Sequence, residues 1–353
     1  MENINKTTSQ KIRDLKDIIP PLILDKHFEL RPKLKEQYTE RLKKLYLEDT
    51  RYHLSYLAEA IAVNEIILFT EYLGWAKTFF STLPIDEGDL ILNFNLIRDT
   101  LKNYLQPGQE EITTLYMNAG IKRFEEQGSV PPTFIYAENP LGDLVNNYIG
   151  LLIDGNKKDA IELIMKEVTT GTSIQDIYLK VFQVSQLETG RLWQTGRINV
   201  AQEHFITAVT QLIMSQLYPY IFTSANKSKK IIVSCVSGEL HEIGARMVAD
   251  LFEMEGWNSF YFGANTPLSS LIKAIETYKP DVLAISATMT FNLNSVAELI
   301  ESVKANPKTK GVKLLVGGYP FNLADKLWEK MGADGFALDA IGAIKLAAAL
   351  LNE

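Results

Sequence analysis

Apolar positions along this chain follow a helical period for about 220 residues and then switch to short β-branched runs. From Leu34 to about Gln127 they recur every three to four residues, with Pro84 and Pro107 as the only internal breakers. This spacing predicts helices near 34–64, 65–81, 87–105 and 108–127, the third capped by Asp86. After Pro131-Pro132 and Asn139-Pro140 the helical period resumes. Residues 141–222 read as four more helices with Gly155, Gly171 and Gly196 at the joints, where a helix end wants positive φ. Asn199, followed three residues on by Gln202, opens the last of them. Its apolar stripe is Phe205, Val209, Leu212, Ile213 and Leu217. A polar linker at 223–230 leads into strands at 230–236, 259–263, 281–286, 312–317 and 334–338, separated by amphipathic helices. Five βα units of this length need crossover connections, so a doubly wound, five-stranded parallel sheet of flavodoxin-like type is expected.

The first 32 residues have a polar start, the run Ile18-Ile19-Pro20-Pro21 and Pro32, and read as an extended arm. The expected fold is thus multi-domain α and α/β, with an arm (1–32), a helical domain (33–130), a four-helix domain (138–222) and a sheet domain (229–353). A length of 353 residues suits several cores better than one.

Composition narrows the function classes. A formal net charge of −7 provides no basic face for nucleic acid. No stretch approaches the roughly 20 apolar residues of a membrane span, so neither DNA nor a membrane is an expected partner. The single cysteine, Cys235, lies inside an apolar run; an intrachain disulfide is impossible, which suits a reducing cytoplasm.

In an open parallel sheet, ligands bind beyond the carboxyl ends of the strands, where strand order reverses. His241 falls just past the first strand, Ser286-Ala287-Thr288 ends the third and Gly317-Gly318 ends the fourth. All lie on one rim. The segment Gly238-Glu239-Leu240-His241-Glu242-Ile243-Gly244 resembles the corrinoid-binding motif, in which an acidic residue precedes a histidine by two positions and a glycine follows. Upstream, Trp193 and the pair Glu203-His204 resemble the cap of CarH-type cobalamin photoreceptors. The first resemblance implies that His241 ligates cobalt from the lower face, with Glu239 and Ser286 holding its tautomer, Thr288 on the same rim, and Gly317 and Gly318 admitting the nucleotide tail. Taken alone, Gly317-Gly318 is equally an ordinary tight turn.

The second resemblance implies that Trp193, Glu203 and His204 surround the adenosyl group of adenosylcobalamin. Gln194 stands where the photoreceptors place a cobalt-capturing histidine. The N-terminal aromatics (Tyr52, Tyr56, Phe69, Tyr72, Trp75, Phe79, Phe80, Phe94, Tyr104 and Tyr116) read either as a helical core or as a chromophore pocket. Their layout is similar to photocobilins, which pair cobalamin with a bilin in a degenerate globin-like domain, and this resemblance implies a bilin such as biliverdin. With Cys235 on a strand, its binding would be noncovalent, and His53 reads either as its partner or as a core histidine. The expected function is a light sensor and not an enzyme, a homo-oligomer rearranged by photolysis and signalling to an unknown partner. The alternatives are a methyl-carrying corrinoid protein serving a methyltransferase, and a haem or ligand-sensing adaptor.

Overall fold

In a computed structural model, residues 2–128, 130–221 and 228–351 are described. Residues 223–227 of the expected polar linker lie outside them. The chain forms two compact units. The first comprises residues 1–129 with 289–294 and 322–331; the second comprises 130–288, 295–321 and 332–353.

The first unit is helical, with helices Glu40–Ala62, Ile66–Phe80, Glu87–Leu101 and Pro107–Glu126 close to where periodicity puts them. Asp86 sits at the start of the third without making a side-chain cap hydrogen bond. The expected arm is instead two helices, Glu2–Asp14 and Ile19–Leu30, and Pro32 opens a third short one. Proline is tolerated there because the first turn has no intrahelical use for its N–H. The burial of Ile12, Leu15, Ile19, Ile23 and Phe28 supplies the packing that a helix of this length needs.

The second unit has a helical part and a sheet part. Gly155, Gly171 and Gly196 all take positive φ at helix joints. Asn199 and Gln202 form the reciprocal capping box of helix Val200–Leu217. That helix buries Ile206, Val209, Ile213, Met214 and Leu217, whereas Leu212 is 40% exposed, so the buried stripe is turned slightly from the expected one. Asn199→Ala should cost about 1 kcal/mol, because the Gln202 N–H, an orphan donor of the first turn, loses its acceptor. Urea unfolding of the two proteins measures it.

The sheet has five parallel strands in the order β2-β1-β3-β4-β5: β1 Lys230–Cys235, β2 Asn258–Tyr261, β3 Val282–Ser286, β4 Lys313–Gly317 and β5 Gly335–Phe336. β1, β3 and β4 are buried almost throughout, as strands covered on both faces must be. Order reverses between β1 and β3, which locates the ligand crevice. Helix Ile243–Met254 buries Ile243, Met247 and Leu251 in the same core as the helical part.

Candidate cobalamin-binding site

The register of the sheet puts Cys235 beside Ser286 and Ser286 beside Gly317, so the three strand ends form one rim. Past β1, Gly238 at φ +85 makes the turn that a side chain would strain. Asn265, itself left-handed at φ 49, clamps this loop from both sides. Its Oδ1 accepts from the Gly238 N–H at 2.8 Å and its N–H donates to the Glu239 carbonyl at 2.8 Å. Sequence reading missed Asn265; its one signal is that asparagine tolerates the left-handed conformation a tight turn requires.

The clamp fixes the residues that matter. Glu239 is fully buried, and its two carboxylate oxygens serve different donors. Oε1 accepts from the His241 backbone N–H at 3.0 Å and pairs with His241 Nδ1 at 2.5 Å; Oε2 accepts from the Thr288 N–H at 2.8 Å. The imidazole, whose side chain is 57% exposed, makes no hydrogen bond through Nε2 among the described residues. The hydrogen bond to Glu239 holds the His241 pKa above the usual imidazole value. The charges of Glu239 and Glu203 add to it, against the opposing effect of burial. Ser286 is half-buried and makes no hydrogen bond to His241 among the described residues; the Thr288 amide holds Glu239 instead. Past the end of β1 a crevice of about 30 Å³ is lined by residues including Val236, Ser237, Thr266 and Ser295.

Polar contacts join the helical part to this rim. Glu242, next to the histidine, accepts from Gln211 Nε2 at 2.8 Å, from the Tyr261 hydroxyl at 2.9 Å and from the Ala264 N–H at 3.0 Å. The Tyr178 hydroxyl, on a π-helical segment (Ile177–Phe182), donates to Asp250 at 2.8 Å. Burial pushes the Asp250 carboxyl up to about 6. Such π segments recur at functional sites.

The remaining predicted residues are more dispersed. Glu203 pairs with His204 Nδ1 at 2.6 Å and accepts from the Thr207 hydroxyl at 3.1 Å, while His204 is three-quarters exposed. Trp193 packs onto the apolar core of the helical part, and Gln194 is 8% exposed.

His53 lies in the first unit, buried among Tyr72, Phe80 and Phe94 with Nδ1 2.7 Å from the Tyr72 hydroxyl. These are the surroundings of a core histidine and lend no support to a bilin. Burial pulls its pKa down to about 3. Against an unfolded value of about 6.5, the unfolded chain binds the extra proton between the two. Stability present above pH 6.5 is therefore lost as pH falls toward 3, by about 1.4 kcal/mol per pH unit from this group. Urea unfolding from pH 6 to 4 should show a flatter pH dependence in His53→Gln.

Residues 229–345 match a family model described as a B12 binding domain, and residues 144–218 match a second model of the same description. The chain carries B12-binding domains. A corrinoid protein of Desulfitobacterium hafniense is 26% identical over 207 residues, covering 57% of this chain and 94% of that protein. Dimethylamine corrinoid protein 1 of Methanosarcina acetivorans is 25% identical over 201 residues, 55% of this chain and 92% of its own. Among solved structures, the monomethylamine corrinoid protein of Methanosarcina barkeri aligns with a TM-score of 0.53 at 22% identity, covering 60% of this chain and 99% of that one. That likeness shows the shared fold: a helical cap followed by a five-stranded, Rossmann-like sheet.

These relatives overturn the photoreceptor reading, and with it the light-driven assembly change and the signalling role. They are corrinoid proteins, two of the three named for methylated amines. No helix among the described residues is long and apolar enough to cross a membrane.

The residues present fit a corrinoid. An imidazole whose Nδ1 is committed to a buried carboxylate presents a neutral Nε2 lone pair, the donor that cobalt takes. It stands on the rim, where ligands of such sheets bind.

Proposed function

We propose that the chain is a methyl-carrying corrinoid protein that serves a separate methyltransferase. Its upper ligand is then methyl and not the adenosyl group first expected, and the chain is a carrier within an enzyme system. The observation that carries the reading is the Thr288–Glu239–His241 arrangement, inside a domain whose relatives include dimethylamine corrinoid proteins. When bound, the corrinoid supplies a cobalt centre that accepts a methyl group from a donor and yields it to an acceptor.

The chain's own residues perform the rest. His241 would offer its Nε2 to the cobalt. Glu239 fixes the tautomer by holding the proton on Nδ1, and Thr288 fixes Glu239. Gln211, Arg246 and Tyr178 hold the helical part against the sheet part. Arg246 donates to the Gln211 carbonyl at 3.3 Å and to the Ser215 hydroxyl at 2.8 Å.

The test loads the full chain with methylcobalamin carrying a labelled methyl group. The label is followed into a thiol acceptor in the presence of methyltransferases, in darkness. Transfer that needs both the methyltransferase and His241 supports the reading. Retention of the label with every methyltransferase and acceptor tried, or transfer that is unchanged in His241→Ala, overturns it.

A further inference from the structure

Glu242 follows His241 and stands at the start of helix Ile243–Met254. An acid at a helix start ordinarily serves that helix's own amides and dipole. Glu242 makes no side-chain cap hydrogen bond. Its carboxylate instead collects donors from three other elements of the second unit. Oε1 takes Gln211 Nε2 from helix Val200–Leu217, and Oε2 takes both the Tyr261 hydroxyl at the end of β2 and the Ala264 N–H beyond it. At Gly263, with φ +76, an added Cβ would lie 3.2 Å from Oε2, so this loop is seated closely on the carboxylate.

The Ala264 bond matters because of its neighbour. Asn265 grips the ligand loop at Gly238 and Glu239. Ala264 and Asn265, consecutive in the chain, therefore hold that loop at Glu239, two residues before His241, and at Glu242, one residue after it. Only Leu240 and His241 lie between the two grips. Leu240 is 71% exposed and the His241 side chain 57%, so this short span is placed by its ends and by Glu239, and not by burial of its own side chains.

We propose that Glu242 is a positioning residue for the lower ligand. Its bond to Ala264 closes the second end of the bridge and fixes where His241 stands on the rim. The inference rests on His241 as the cobalt ligand and deepens the proposed site.

Measurements on the full chain test it. In the cofactor-free protein, hydrogen exchange at the Ala264 amide is expected to quicken about tenfold or more in Glu242→Ala, because the lost acceptor lets the loop open locally. With methylcobalamin bound, the visible spectrum of Glu242→Ala shows a smaller imidazole-ligated fraction. The cofactor binds about tenfold more weakly, the low end for groups that orient a metal ligand. Glu242→Gln, which removes the charge, recovers all three readings. Its amide oxygen can take the Tyr261 and Ala264 donors, and its NH₂ can meet the Gln211 carbonyl once that amide turns over. Phe252, fully buried in the sheet core on the same helix, supplies the control. Phe252→Leu lowers the urea midpoint and leaves the ligated fraction at its wild-type value.

Unchanged exchange and spectrum in Glu242→Ala, a Glu242→Gln variant as impaired as Glu242→Ala, or an equal loss of ligation in Phe252→Leu overturns the proposal. If Glu242→Ala fails to fold, Glu242→Asp is measured in its place. An aspartate can cap its own helix, which protects the fold, but it is one methylene short of Ala264. A smaller change of the same sign supports the proposal, and no change counts against it. If methyl transfer fails while exchange and spectrum respond, the carrier function falls and this inference stands.

Discussion

Replacing His241 with alanine is expected to remove imidazole ligation from the cobalamin spectrum and to weaken binding by about 10- to 100-fold, roughly 1.4–2.7 kcal/mol. The fold should survive, since the side chain is more than half exposed and the ring bonds only Glu239 among the described residues. Glu239→Gln tests the same geometry from the other side. The carboxylate accepts from three donors, the His241 backbone N–H and Nδ1–H on Oε1 and the Thr288 N–H on Oε2. An amide has one acceptor oxygen and one NH₂ group. Whichever way it is turned, a donor faces a donor. If the NH₂ meets the imidazole, Nδ1 must become the acceptor, the proton moves to Nε2, and the lone pair meant for cobalt is lost. Glu239→Gln should therefore cost about tenfold in cobalamin affinity while leaving the chain folded. Equilibrium titration with hydroxocobalamin, read by its visible spectrum, measures both variants. An unchanged spectrum and affinity in His241→Ala would remove His241 as the ligand.

The sheet half of this protein was legible because its physics is local. Strands buried on both faces print continuous apolar runs, and the alternation with amphipathic helices leaves one topology class open. Strand ends then locate His241, Thr288 and Gly317 on one rim before any coordinate is known. The N-terminal stretch is helical where its sequence suggests an extended arm, because Pro20, Pro21 and Pro32 look like breakers and instead stand in first turns. At the first turn of a helix, proline breaks nothing, and only the burial of Ile12, Ile19 and Ile23 shows that the arm is packed.

The functional error has a different origin. Trp193 and Glu203-His204 match a photoreceptor pattern in spacing, yet an acidic residue in the first turn of a capped helix and an indole beside a helical core also follow from stability alone. Spacing could not separate the two. Aromatic density in the first unit carried the same ambiguity, and the burial of His53 among three rings favours the core reading. The contacts between Gln211 and Glu242 and between Tyr178 and Asp250 were invisible because each joins residues at least 31 positions apart that share no periodic pattern.

Gly317 and Gly318 look alike in sequence, and the structure predicts opposite responses to alanine. Gly318 has φ +108, and a Cβ there would lie 2.0 Å from the Ala287 carbonyl oxygen and 2.7 Å from its carbon. Both are backbone atoms, so no side chain can rotate away. Relief would require separating the ends of β3 and β4, where the Ala287 N–H donates to the Gly317 carbonyl at 3.0 Å. Left-handed strain adds to this steric conflict. Gly318→Ala should lose more than about 4 kcal/mol, in the exceptional range for one substitution. At Gly317 an added Cβ meets only the Ala337 carbonyl, at 3.9 Å, an ordinary contact. Gly317→Ala should therefore stay within about 1 kcal/mol of the parent. Urea midpoints of the two variants decide the matter. If they coincide, the close approach of Gly318 to Ala287 does not limit the fold, and the glycine pair is interchangeable after all.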